Sequence, residues 1–500
     1  MGFKSDHLIN GGHRLHVVLS YLFNVMLIHG YSPNVLLKST IVSIPKDYKS
    51  SLSSSDNYRG ISLFNSICKL FDNVILYLYK DQLTASNMQF GFKEKHSTTM
   101  CSLIYTEVVS HYLCKDSNVY SCLLDASKAF DLVHYGKLFK ILIDKDIPSC
   151  IIRLIFDSYI RQSSCVIWNS CKSDYFSLSN GVKQGGVLSP IFFSLYIDPL
   201  LIELRNSQIG CHIDNVYMGA LSYADDITLV CPSIRGLNEM LRICSIFAEV
   251  ITFNSKKTIC IKFGDAIKVH ERAVLKGEFL NWTDKVRHLG NFIDTSMSDE
   301  YDCNIKKSMF IGYVNKLRSN YGNLQPSIVK NLFKSYCCSF YGSALWKFNS
   351  TGFDKICKSW NIAIRTILRL PYNAHTCYLG PLIGQYHIRT QLYARNFKFL
   401  FYAYRSPNVI VKTCINNAMY NDNTPIGYTL SFYKNTFQLD MNTKLNVALK
   451  RIHATDILDI DHTVIVNGLN DLINVRSGHS AIDQFTIKNV TSMIDYFSTV

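Results

Sequence analysis

The chain has 500 residues, 48% of them apolar and 18% charged, with a net charge of +14. That length predicts roughly three domains of about 150 residues, and the composition excludes a disordered chain and supports a sizeable core. With Gly 25 and Pro 11, collagen-like and proline-rich architectures are excluded, and no uncharged apolar stretch of about 18 residues is present to predict a membrane-spanning helix.

Met1-Gly2-Phe3-Lys4-Ser5-Asp6 lacks the apolar core of a secretion signal. The seventeen cysteines contain no CxxC pair, so reduced and mostly buried thiols in an intracellular protein are expected. Residues 14 to 29 are apolar at helical spacing and stop at Gly30. A strand is predicted over Thr40–Ile44, closed by Pro45. The serine-rich stretch 50 to 55 reads as an exposed loop. Amphipathic helices are predicted over 66 to 83 and 97 to 113.

Val119–Leu124 is a short run of β formers that stops at Asp125, as a buried strand would. Helices follow at 137 to 145 and 149 to 161, then a strand pair over 165 to 178. Ser189-Pro190 predicts a helix start, with Ser189 as cap and Pro190 in the first turn, and the apolar stretch reaches Pro199. Residues 216 to 231 read as strand, tight turn, strand. A helix is predicted over 236 to 249, and helices again from 300 to about 413. The last eighty-odd residues carry little pattern.

The charge is localised. Residues 301 to 413 hold sixteen Lys or Arg and two acids, Asp302 and Asp354, an excess equal to the whole net charge. Such a concentration favours a polyanionic partner, nucleic acid first. A solvated helical face on a basic protein explains the same numbers.

Two adjacent carboxylates, Asp225 and Asp226, lie at the hairpin turn. By themselves they are ordinary turn residues. Asp125, at the end of an apolar strand, is an unusual place for a charge without a partner. Carboxylates brought together repel unless cations intervene. Mg²⁺ takes oxygen ligands and shares them with phosphates. Two such ions about 4 Å apart suit nucleotidyl transfer.

These residues sit within a series of blocks. In order they are Ile44-Pro45-Lys46, Asn57-Tyr58-Arg59-Gly60-Ile61-Ser62-Leu63, Gln89-Phe90-Gly91-Phe92-Lys93, and Leu124-Asp125-Ala126-Ser127-Lys128-Ala129-Phe130-Asp131. There follow Gly181-Val182-Lys183-Gln184-Gly185-Gly186-Val187-Leu188-Ser189-Pro190, Tyr223-Ala224-Asp225-Asp226, Asn254-Ser255-Lys256-Lys257-Thr258 and His288-Leu289-Gly290. The series resembles reverse transcriptases of LINE-type, non-LTR retrotransposons, closely over residues 5 to 300 and more loosely to about 410.

The resemblance implies an α+β right-hand polymerase. Fingers would span 1–115, an antiparallel-sheet palm 116–299, a basic helical thumb 300–413, and a region of unassigned role 414–500. It implies RNA-directed DNA synthesis from a primer 3′-hydroxyl with dNTPs and two Mg²⁺ ions, or Mn²⁺ in their place. RNA template and DNA primer would be the partners, without a membrane, in the nucleus and cytoplasm. Asp125, Asp225 and Asp226 would hold the metals. Lys257 would protonate departing pyrophosphate, although the loop before it is shorter than usual. Lys46 and Arg59 would meet the triphosphate, Phe130 would exclude a 2′-hydroxyl, and Gln184 with Gly185 would lie against the nascent pair. His288, Leu289 and Gly290 would grip the primer. Asp131 is expected to support its local turn or cap a helix. With neither an endonuclease block nor a Cys/His knuckle recognised, a truncated copy is expected. The alternatives are a catalytically poor remnant that binds nucleic acid and a Mg²⁺ phosphohydrolase using the same carboxylates.

Overall fold

A computed structural model of the chain describes residues 5–458, apart from 49, 127–128, 248–250, 267–270, 322–323 and 371. It is an α+β structure with two five-stranded sheets. The predicted first helix runs Gly12–His29 and ends where Gly30 adopts φ 61° and returns its N–H to Met26 O. Lys38–Pro45 pairs antiparallel with Tyr58–Leu63 and parallel with Ser163–Trp168. This outer sheet carries two short strands, Cys171–Lys172 and Phe176–Ser177, on its far side.

The central sheet has the order Asn281–Trp282, Ile259–Phe263, Val119–Leu124, Asp226–Cys231, Ala220–Tyr223. Val119–Leu124 lies in the middle, buried along almost its whole length, which accounts for its unbroken run of apolar and small residues. Helices Thr98–Leu113, Ser189–Asn206 and Ile234–Ile246 pack against this sheet.

The helix after the glycine-rich block departs from expectation. Leu188 occupies the cap position without a side-chain bond, Ser189 is already helical, and the helix continues through Pro199 to Asn206. It is buried nearly all round, so packing outweighs the local cost of an interior proline.

Beyond Asp299 the chain is helical. Asp299–Tyr321 packs on Thr351–Ile367, and Ile388–Tyr404 on Leu445–Leu458. The boundary drawn at 413 falls inside the helix Val409–Ala418. That helix and Pro425–Phe437 turn back onto Thr98–Leu113. There the buried Glu107 carboxylate accepts the Ile426 N–H at 2.9 Å, satisfying a donor at the start of the second helix. The part of the carboxyl-terminal region from 459 to 500 lies outside the described residues. Among the described residues no helix is long and apolar enough to cross a membrane. Every cysteine is a free thiol and most are buried.

Candidate active site

Strand register brings the acidic residues together. Leu124 pairs with Ile227, so Asp125, one residue further, leaves its strand beside Asp226. Tyr223 pairs with Asp226 across the two-residue turn Ala224-Asp225, in which Ala224 takes φ 58°. A left-handed first turn residue matches the twist of a tight hairpin, at a steric cost for alanine.

The electrostatics follow from this crowding. Partial burial, then Asp225 and Asp125, push the Asp226 carboxyl up to about 6, although its outer side is open to solvent. Burial and Asp125 also raise Asp225, while Arg59 pulls it down. The strand Tyr58–Leu63 therefore carries Arg59 within electrostatic reach of the carboxylates. Among the described residues, no three His, Cys, Asp or Glu side chains close into a metal cage. Three hard oxygen donors, two of them raised by their acidic neighbours, nevertheless suit a divalent cation that also binds substrate oxygens.

Asp125 is held through its backbone. Its N–H donates to Thr258 Oγ1 at 3.3 Å, and its carbonyl accepts the Asn254 N–H at 2.9 Å. Ala126 forms a bridge with Phe253. The turn that includes Lys257 is thus attached directly to the residue after the central strand. The Lys257 side chain is exposed. Of the shortened loop before it, residues 248–250 lie outside the described residues.

The glycine-rich block joins the outer sheet to the loop that follows Asp125. Ser62 N–H donates to Gln184 O at 2.7 Å, and Gln184 Nε2 reaches Asp131 Oδ1 at 3.5 Å. Asp131 is thereby tied to this loop. Gly185 has φ 116°, and a Cβ there would come within 2.6 Å of Ser62 O. Only glycine accommodates both constraints. Phe130 is half-buried and stacks on Phe193, with centroids 4.5 Å apart, while Phe92 meets its edge.

Two expected site residues are engaged within the fold. Lys46 donates from Nζ to Asp56 O at 2.9 Å, so its ammonium closes its own hairpin loop. His288 is buried, with Nδ1 2.9 Å from Ser102 Oγ, and burial lowers its imidazole to about 3. Of the His288-Leu289-Gly290 block, the turn residues Leu289 and Gly290, both left-handed, form the tip. Tyr341 Oη donates to Leu289 O at 2.9 Å, and Lys306 Nζ to Gly290 O at 2.8 Å.

Sequence reasoning missed several residues here. Asp72 accepts the Val187 backbone N–H and attracts Lys183, which lies over the Phe64 ring at 4.6 Å. Phe92 adopts φ 57° and stays half exposed between Phe130 and Tyr223. Its place in a recognised block was a signal, as was the basic segment for Lys306, whereas nothing near Asp72 marked it.

Many cations of the basic segment serve the fold. Lys306 is buried, Lys355 pairs with Glu300, Arg389 with Asp354, and Arg395 donates to Cys338 O and Ser339 O. Lys316, Arg318, Lys358, Lys398 and Lys412 are exposed. Trp346 is buried and donates to Asp302 Oδ2 at 2.7 Å, whereas Tyr321 and Tyr336 are exposed.

This arrangement, a carboxylate hairpin in a central antiparallel sheet faced by an outer sheet and a helical segment, is that of a right-hand polymerase. Residues 44–291 match the family described as reverse transcriptase (RNA-dependent DNA polymerase). They form a reverse transcriptase domain. The chain is 28% identical over 298 residues to the RNA-directed DNA polymerase from mobile element jockey of Drosophila funebris, covering 57% of this chain and 31% of that protein. It is 24% identical over 247 residues to the Pol polyprotein from the type-2 retrotransposable element R2DM of Drosophila melanogaster, covering 49% of this chain and 23% of that protein. The chain thus matches about a third or less of the length of these relatives. Apo telomerase from Candida tropicalis is similar at 14% identity and a TM-score of 0.43, over 88% of this chain and 74% of that one.

Proposed function

We propose that the chain is an RNA-directed DNA polymerase that extends a primer 3′-hydroxyl with dNTPs on an RNA template. The observation that carries this reading is the meeting of Asp125 with Asp225 and Asp226 at one end of the central strands, within reach of Arg59. Asp125, Asp225 and Asp226 would hold two Mg²⁺ ions, or Mn²⁺ in their place. Bound there, the metals would lower the pKa of the attacking hydroxyl and stabilise the leaving oxygen.

The chain's own groups supply position and charge. Arg59 offers a planar fork to the triphosphate. Lys46 can join it by exchanging its bond to Asp56 O for a phosphate oxygen. Lys257 stands on the turn attached to Asp125 and serves as a proton donor to pyrophosphate. Phe130, braced by Phe193, excludes a 2′-hydroxyl, and Gln184 and Gly185 let backbone approach the new base pair. Leu289 and Gly290 touch the primer end, with His288 pinning their turn from beneath. Residues 1–115, 116–299 and 300–413 act as fingers, palm and thumb, and exposed thumb cations track the duplex backbone.

The test is incorporation of dTTP on poly(A) primed with oligo(dT), with Mg²⁺. The intact chain is expected to incorporate, and Asp225→Asn to lose about 10³-fold or more, the equivalent of several kcal/mol of charge stabilisation. Duplex binding without incorporation by the intact chain would favour the nucleic-acid-binding remnant instead.

A further inference from the structure

Gln89 is wholly buried, with 0% exposure, yet it is a polar side chain beside the carboxylate turn. Its segment joins the edge of the central sheet. Gln89 bridges Ser222 in parallel, Ser222 N–H donates to Met88 O at 2.9 Å, and Phe90 N–H donates to Ser222 O at 2.7 Å. The side chain then reaches past the strand to the turn. Oε1 accepts the Ala224 N–H and the Gly91 N–H, each at 2.8 Å. Nε2 donates to Ser222 Oγ at 3.0 Å and to Ala224 O at 3.3 Å. Ser222 Oγ in turn donates to Ala224 O at 3.0 Å.

All four hydrogen-bonding valences of the amide are used. Its orientation is fixed, because a flipped amide would set donor against donor and carbonyl against carbonyl. Both peptide groups of Ala224, the residue held at φ 58°, are bound by one side chain. Gly91 completes the fit, since a Cβ there would collide with the Ala224 nitrogen. A tight turn with a left-handed alanine needs such surroundings to persist.

We propose that Gln89 is the positioning residue of the Ala224-Asp225-Asp226 turn, fixing where the two carboxylates present their oxygens to divalent cations. The inference rests on the polymerase reading for its kinetic consequence, but not for its structural one. Gln89 touches neither metal nor nucleotide and acts through Ala224. Loss of such an outer support typically costs about 10- to 100-fold in metal affinity or activity.

The experiment uses the full chain and its Gln89→Met and Ser222→Ala variants. Methionine keeps the length and removes the hydrogen bonds, and Ser222→Ala is the milder change that keeps the test decisive if the first variant fails to fold. Mn²⁺ binding is read from the free-ion EPR signal, counting the sites lost in Asp225→Asn, and primer extension is followed across dTTP concentrations. The expected result is a Mn²⁺ midpoint raised about 10-fold or more in Gln89→Met and less in Ser222→Ala. It should be accompanied by a fall in kcat with little change in KM for dTTP. An unchanged Mn²⁺ midpoint and kcat in the folded variants would overturn the role of Gln89 while leaving the polymerase reading intact. If the wild-type chain does not incorporate, the polymerase reading fails. The Mn²⁺ midpoints then decide alone, a raised value supporting the inference and an unchanged one ending it.

Discussion

Asp226 carries a charge that the metal-free fold resists. Its carboxyl is raised from an ordinary 3.8 to about 6, by partial burial first and by Asp225 and Asp125 after that. A carboxyl with a raised folded-state pKa contributes its full stability below the ordinary value, and that contribution is lost as pH rises through about 6. Asp226→Asn is therefore expected to raise the thermal midpoint of the metal-free chain by a few degrees at pH 7.5, with solvent screening limiting the gain. The difference should shrink at pH 4.5, where the native carboxyl is itself protonated. Scanning calorimetry in chelator at the two pH values checks this, and an equal difference at both would contradict it. Added Mg²⁺ should reverse the order at pH 7.5 by stabilising the native side chain.

The elements around this residue differ in how plainly the sequence announces them. Val119–Leu124 and the hairpin to Cys231 were legible because β formers, a charged stop and a tight turn are local signals. The first helix and its Gly30 stop were legible for the same reason. Ser189 as a cap did not hold, since the capping rule describes an isolated helix and this one is enclosed and runs on past Pro199. Arg59 could be placed near the acids by resemblance alone, because its position depends on the outer sheet meeting the glycine-rich loop through Ser62 and Gln184. Burial of His288 against Ser102 is equally non-local. The Ser62–Gln184 seam also makes a prediction. Gly185→Ala forces a Cβ toward Ser62 O at a backbone angle suited to glycine, and should cost about 1–3 kcal/mol in denaturant unfolding. Loosening this wall should raise KM for dTTP more than it lowers kcat. An unchanged stability would mean that the seam is not rigid.

At the scale of the molecule, the excess positive charge divides into two populations. Lys306, Arg389 and Arg395 are engaged within the fold, whereas Lys316 and Arg318 lie exposed on the helix Asp299–Tyr321. Replacing Lys316 and Arg318 with alanine should weaken binding to an RNA–DNA duplex at low salt without altering the melting temperature. The slope of log affinity against log salt should flatten by about one for each phosphate that is no longer neutralised. Retention of the full slope would move the duplex path to another face.

Glu107 links this scale to the history of each molecule. Its burial is completed by the Ile426 N–H, three hundred and nineteen residues later in the chain. A ribosome delivers the central sheet long before it delivers that partner. Until the later helix arrives, the growing polypeptide holds a carboxyl group facing an unfinished cleft. The Glu107–Ile426 contact can therefore close only after translation has passed Ile426, and a nascent chain released earlier would lack it.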